Sequence, residues 1–187
     1  GRPDFRKILL ESYPELTKAE NRFLEGPAQE LCRLVNDWEV HQRKDLPAEA
    51  WDYIKKERFF GLVIPAAYGG HGFSAAGTNA VIAKLGSHCI PLAVDVMVPN
   101  SLGPAELLME YGTKKQKDYY LPRLAEGKEI PCFALTEPKA GSDAASLSSH
   151  GVVFKGEDGT LYIRLNWKKR YITLGAVATL LGLAFQL

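Results

Sequence analysis

At Pro131 the hydrophobic pattern of this 187-residue chain changes its period, and that change bounds the fold. Before it, apolar residues recur at three- and four-residue steps, the spacing of one helix face. After it they alternate or form short runs, as in strands. A helical region over 1–130 followed by the opening of an antiparallel β region over 131–187 is an α+β order.

The helical part is well punctuated. Thr17 with Glu20 is a capping-box pair ahead of Phe23 and Leu24. From Pro27, residues Ala28, Leu31, Cys32, Val35 and Trp38 predict one amphipathic helix. Pro47 suits a first helical position, with Trp51, Ile54 and Phe59 following and Gly61 as the stop. Gly69, Gly70 and Gly72 make 64–72 a loop that permits positive φ. Ser74 caps a helix carrying Val81, Ile82 and Leu85, and a further helix runs from Pro91 towards Met97. Pro104 to Tyr111 reads as a helix ended by Gly112. Thr113 with Gln116 then opens the last one, through Leu124 to Gly127. Past Pro131, the run 132–136 is stopped by Glu137-Pro138. Val152 to Phe154 and Leu161 to Asn166 flank a glycine turn, which predicts a hairpin. Tyr171 to Leu174 and Ala178 to Phe185 are two more strand-like runs.

Charge and ligand-forming residues exclude several functions. A net charge of +1 offers no electrostatic footprint for nucleic acid. Lys168-Lys169-Arg170, the densest basic cluster, reads as a solvated face or turn rather than a polyanion site. Cys32, Cys89 and Cys132 have neither disulfide nor zinc spacing, and His41, His71, His88 and His150 form no ligand motif, so no metal is expected. Free cysteines fit a reducing, cytoplasmic setting, with membrane association of a longer protein left open. The apolar stretch 174–187 is shorter than the ~20 residues of a membrane span. A chain beginning at Gly1 and stopping on that stretch is expected to be a fragment.

The segment Phe133-Ala134-Leu135-Thr136-Glu137-Pro138-Lys139-Ala140-Gly141-Ser142-Asp143 carries the chemistry. A strand ends at Thr136, Pro138 stops its ladder, and Gly141 permits close approach of backbone to a ligand. Main-chain N–H groups and two hydroxyls at a strand end form a donor-rich ledge suited to an electron-rich heterocycle or a phosphate. On physics alone the signal is weak and the segment reads first as a polar inter-strand loop.

With Ala66-Ala67-Tyr68-Gly69-Gly70 before it and Arg170-Tyr171-Ile172-Thr173 after it, this segment resembles the acyl-CoA dehydrogenase family. That family has a Thr-Glu-Pro-x-Ala-Gly-Ser-Asp loop and, further on, a Trp-Ile-Thr strand. Tyr111-Gly112-Thr113, Gln116-Lys117 and Tyr120-Leu121-Pro122 are also similar, and Asn100-Ser101-Leu102-Gly103-Pro104 resembles the large bacterial β-oxidation members. Tyr171 stands in place of the usual Trp, and Leu174-Gly175 in place of Asn-Gly.

The resemblance implies FAD as cofactor, a fatty acyl-CoA oxidised to a trans-2-enoyl-CoA, an electron-transfer flavoprotein as acceptor, and a homo-oligomer at full length. It places Phe133, Ala134, Leu135 and Thr136 along the flavin. Tyr171 and Thr173 lie on a strand beside the ring, Gly141 and Ser142 near the pyrophosphate, and Ser142 also near substrate. Glu137 is a structural member of its loop. The family's catalytic glutamate lies in a carboxy-terminal helical domain, so no catalytic residue is expected in this chain and it should be inactive alone. A flavin monooxygenase or acyl-CoA oxidase of the same fold, and a non-catalytic helical interaction module, are the alternatives. Val96 to Leu102 is a candidate acyl-cavity wall, or equally core.

Overall fold

A computed structural model of the chain describes residues 6, 10, 12, 14–101 and 103–187. Helix α1 (Lys18–Phe23) opens on the expected box: Glu20 N donates to Thr17 Oγ1 at 3.2 Å, and Thr17 N donates to Glu20 Oε2 at 2.7 Å. It continues through a π-helical turn, Leu24–Ala28, into α2 (Gln29–Leu34). Pro27 has no N–H for the carbonyl one turn back, and a locally wider turn accommodates that defect. Lys84 Nζ donates to the Leu24 carbonyl at 2.9 Å.

The expected continuation to Trp38 does not form. Val35 is extended at φ −114°, ψ 122°, and the Asn36 side chain accepts from Glu39 N to open α3 (Asp37–Arg43). Asparagine competes for backbone donors outside a helix, so it ends one helix and caps the next. Trp38 is therefore 67% exposed, stacked on His41. Pro47 is the N-cap of α4 (Ala48–Lys56) rather than its first residue. Arg58, at φ 57°, turns the chain into a 3-10 turn at Phe59–Gly61.

Helix α5 (Ala75–His88) is capped by Ser74, whose Oγ accepts from Gly77 N at 3.0 Å. Helices α6 (Ile90–Met97), α7 (Pro104–Tyr111) and α8 (Lys114–Ala125) follow, the last with the expected Thr113–Gln116 box. Leu31, Ile54, Phe59, Phe60, Leu85, Leu92 and Val96 are fully buried at the centre. Each such side chain contributes about 1.5–3 kcal/mol of burial free energy. Of the candidate acyl-cavity wall, Val96 and Asn100 are buried in the packed interior, while Met97 between them is 39% exposed. Asn100 Nδ2 donates to Phe59 O and Val96 O, and its Oδ1 accepts from Val63 N. Leu102, the far end of that expected wall, lies outside the described residues.

Strands β2 (His150–Lys155) and β3 (Leu161–Asn166) form the expected antiparallel hairpin, Val153 opposite Ile163. Strand β1 (Pro131–Ala134) pairs in parallel with β4 (Leu180–Leu183), Cys132 opposite Leu181. A parallel pair needs a long crossover, and the whole stretch between them supplies it. Leu180 packs against the buried cluster of Ile64, Ala105, Leu121, Leu124 and Ala125, and both strands lie against α7.

The Tyr171–Leu174 run is a turn, not a strand. Tyr171 and Leu174 are left-handed, at φ 56° and 63°. Gly175 N donates to Ile172 O, and Val177 N and Ala178 N donate to Leu174 O. Bonds to near neighbours replace a ladder, and the pleat that would align Tyr171 with Thr173 is lost. No helix among the described residues is long and apolar enough to cross a membrane.

Candidate functional site

Ala134 ends β1, buried, with its carbonyl accepting from Ala184 N at 3.1 Å; Phe133 is half-buried over Gly182. Leu135 and Thr136, both half-buried, leave the ladder and meet a new neighbour. Arg170 N donates to Thr136 O at 3.1 Å, and Lys169 Nζ donates to Leu135 O at 3.0 Å. The two motifs that the sequence holds apart therefore touch main chain to main chain.

Glu137 N donates to Ala140 O and Ala140 N to Glu137 O, at 2.9 and 3.3 Å, closing a tight turn over Pro138 and Lys139. Gly141 and Ser142 follow it, exposed, and Gly141 has nothing within 4 Å of where a Cβ would stand. Among the described residues, the N–H groups of Thr136, Gly141 and Ser142 and the hydroxyls of Thr136 and Ser142 have no protein partner. That is the donor set the sequence predicts, on one short stretch of chain.

Below it lies a polar group the sequence did not reveal. The Glu137 carboxylate accepts from Lys169 Nζ at 2.8 Å, from Ser148 N and Oγ at 2.7 Å each, and from Ser149 N at 3.0 Å. The Lys169 and Glu137 side chains are each 1% exposed, so Lys169 is not part of a solvated basic face. The Lys169 ammonium above all, then Ser149 and Ser148, holds the carboxyl well below the usual carboxylate range. A carboxylate so engaged is a poor proton acceptor, which fits a structural role for Glu137. Its partners lie too far along the chain for any spacing rule to reveal them. One lysine of a Lys-Lys-Arg run looks like the next until the fold buries it.

Tyr171 and Thr173 are exposed on the turn, and the Arg170 guanidinium lies 4.8 Å from the Tyr171 ring centroid. The next side of the same turn closes a cleft of about 440 Å³ against the helices, lined by Asp45, Trp51, Asp95, Ile172 and Leu174 among others. Tyr171 and Thr173 do not line it. Asp45 Oδ1 accepts from Trp51 Nε1 and Leu46 N, at 3.1 and 2.8 Å. Burial, and then the Asp45 charge, pushes Asp95 up to about 6.

A family model described as the acyl-CoA dehydrogenase N-terminal domain matches residues 18–128, and one for the middle domain of the same family matches 132–186. The chain is 32% identical over 171 residues to the human mitochondrial very long-chain specific acyl-CoA dehydrogenase. That match covers 89% of this chain and 26% of the human protein. It superimposes on butyryl-CoA dehydrogenase from Megasphaera elsdenii with a TM-score of 0.75 and 27% identity, covering 89% of this chain and 44% of that one. A chain of the structure reported as the electron transferring flavoprotein of Acidaminococcus fermentans matches with a TM-score of 0.76 and 27% identity, over 89% of this chain and 43% of that one. The chain thus spans about a quarter to under a half of the length of these proteins. With both domain models in register across the change of fold at Pro131, the chain belongs to the acyl-CoA dehydrogenase family.

Proposed function

We propose that this chain forms the helical domain, 1–130, and part of the middle β domain, 131–187, of an FAD-dependent enzyme that oxidises a fatty acyl-CoA to a trans-2-enoyl-CoA in fatty-acid β-oxidation. The supporting observation is the contact of Arg170 N with Thr136 O, which brings the two segments expected beside a flavin together beneath a set of unengaged donors. FAD, when bound, supplies the two-electron acceptor that the protein itself lacks. The Thr136 N–H and hydroxyl would hold the electron-rich edge of such a ring and favour the charge that reduction places there. Gly141 and Ser142 leave room and donors for a pyrophosphate, with Ser142 also near substrate, while Tyr171 and Thr173 would flank the ring once their turn is covered. Glu137 is committed to Lys169, so the base that removes the α-proton comes from residues outside these. In the same reading the electrons leave to an electron-transfer flavoprotein, and the complete protein is a cytoplasmic homo-oligomer, with membrane association left open.

The test is dehydrogenation of fatty acyl-CoA thioesters by the complete protein with a dye acceptor. Enoyl-CoA from the complete protein and none from the 187-residue chain is the expected pair of results. Turnover by the 187-residue chain alone would contradict the placement of the base.

A further inference from the structure

Lys169 reaches Leu135 as well as Glu137, and that second bond has a directional consequence. The peptide unit joining Leu135 and Thr136 is planar, and a trans peptide points its C=O and its N–H in opposite directions. Lys169 Nζ holds the Leu135 C=O at 3.0 Å from a side chain that is 1% exposed, so this carbonyl points into the protein. The Thr136 N–H of the same plane then points outward, and no described residue accepts from it. The next plane is fixed separately, by Arg170 N on Thr136 O and by Glu137 N on Ala140 O. The Lys169 ammonium is in turn held by Glu137, and Glu137 by Ser148 and Ser149. The chain of constraint runs from two serines, through a carboxylate and an ammonium, to one peptide plane.

We propose that Lys169 is a positioning residue for the cofactor: its bond to the Leu135 carbonyl aims the Thr136 N–H at the electron-rich edge of the flavin. This rests on the flavin reading given above and adds to it the group that orients the donor. Remove the ammonium, and the Leu135 carbonyl loses its partner. The 135–136 plane is then free to rotate, and the donor is misaimed although Thr136 itself is unchanged. A hydrogen bond weakens steeply with misalignment.

The proposal separates three substitutions that a purely structural role would rank by stability alone. Lys169→Met removes the donor to Leu135 and leaves Glu137 with its serine donors. Glu137→Gln removes the charge pair but leaves Lys169 able to bond Leu135. Ser148→Ala removes a prop of Glu137 without touching the 135–136 plane. The experiment uses the complete flavoprotein proposed above and measures FAD affinity, the midpoint potential of the bound flavin, and the unfolding midpoint.

The expected result is about tenfold weaker FAD binding in Lys169→Met, the loss of roughly one hydrogen bond. The midpoint potential should fall, because reduced flavin loses a donor. Glu137→Gln and Ser148→Ala should lower the unfolding midpoint with much smaller changes in affinity and potential. If all three variants lose FAD affinity only in proportion to lost stability, or if Lys169→Met folds with an unchanged potential, Lys169 does not position the donor. Should Lys169→Met not fold, the ranking of Glu137→Gln against Ser148→Ala decides: a potential that moves more in Ser148→Ala overturns the proposal. A folded wild-type protein that takes up no FAD from excess overturns the flavin reading itself, and this inference with it.

Discussion

The Lys169 ammonium and the Glu137 carboxylate meet at 2.8 Å with each side chain 1% exposed, and they join segments 32 residues apart. A buried pair of this kind is strongly destabilised when one partner is removed, because the other keeps a charge it cannot solvate. Glu137→Ala should therefore unfold at lower urea than Ser148→Ala, followed by circular dichroism. The folded-state pKa of Glu137 lies below its ordinary value, so its contribution is present above the ordinary carboxylate range and is lost as pH falls through the folded value. The difference between wild type and Glu137→Ala should shrink on acidification. A difference that grows in acid would contradict the pair.

Glu20 links two helix starts in the same way. Its Oε2 takes Thr17 N, and its Oε1 takes Ser74 N and Ser74 Oγ, at 2.8 and 2.7 Å. The Ser74 hydroxyl, with the other donors, lowers Glu20 to about 2, so acid unfolding should remove its contribution between about 4.5 and 2. A Cβ at Gly77 would stand 2.3 Å from Glu20 Oε1. Gly77→Ala should cost about 1–3 kcal/mol by overpacking, although alanine favours helix. Thermal unfolding checks the sign: a stabilised Gly77→Ala protein would show that Glu20 is free to move.

Asp95 carries the opposite sign. Its folded pKa is raised to about 6, first by burial and then by the Asp45 charge. The unfolded chain gives up this proton at a lower pH than the folded one, so stability falls as pH rises from about 3.8 to 6. Asp95→Asn should stabilise the protein near neutral pH by about 1 kcal/mol, allowing for solvent screening of a partly exposed group. Below pH 4 the gain should vanish. An equal gain at both pH values would mean that charge is not its source.

Two glycines of the sequence motifs should respond differently to alanine. At Gly70 a Cβ would stand 2.1 Å from Ile64 O and 2.7 Å from Gly61 O, both backbone atoms that cannot step aside. Gly70→Ala should cost at least about 1–3 kcal/mol. At Gly141 the space is open, and Gly141→Ala should change stability by no more than about 0.5 kcal/mol. Its effect is expected in FAD or acyl-CoA affinity of the complete protein. Unchanged affinity in Gly141→Ala would remove Gly141 from the site.

What the sequence made legible was local. The Thr17–Glu20 and Thr113–Gln116 boxes, the Ser74 cap and the hairpin over Gly156–Gly159 each depend on residues within one turn of each other, and each is found as expected. The misses share a different cause. Val35 and Trp38 fit one helical stripe, but Asn36 between them is a stronger cap than a helix interior residue. Tyr171 to Leu174 has strand composition, yet strand composition describes a fit to neighbouring strands, and this segment bonds to its own turn. The donor set at Thr136 and Ser142 could be read from the chain. The Lys169–Glu137 pair that holds it, like the Glu20–Ser74 link, is a product of folding.

Flavin content of the complete protein tests the central claim most directly. Protein purified in a folded state, with the visible absorbance of bound flavin and stoichiometric FAD released on denaturation, is the expected result. Its Thr136→Pro variant, which lacks the Thr136 N–H, should be depleted of FAD. A folded wild-type protein that takes up no FAD from excess would contradict the account.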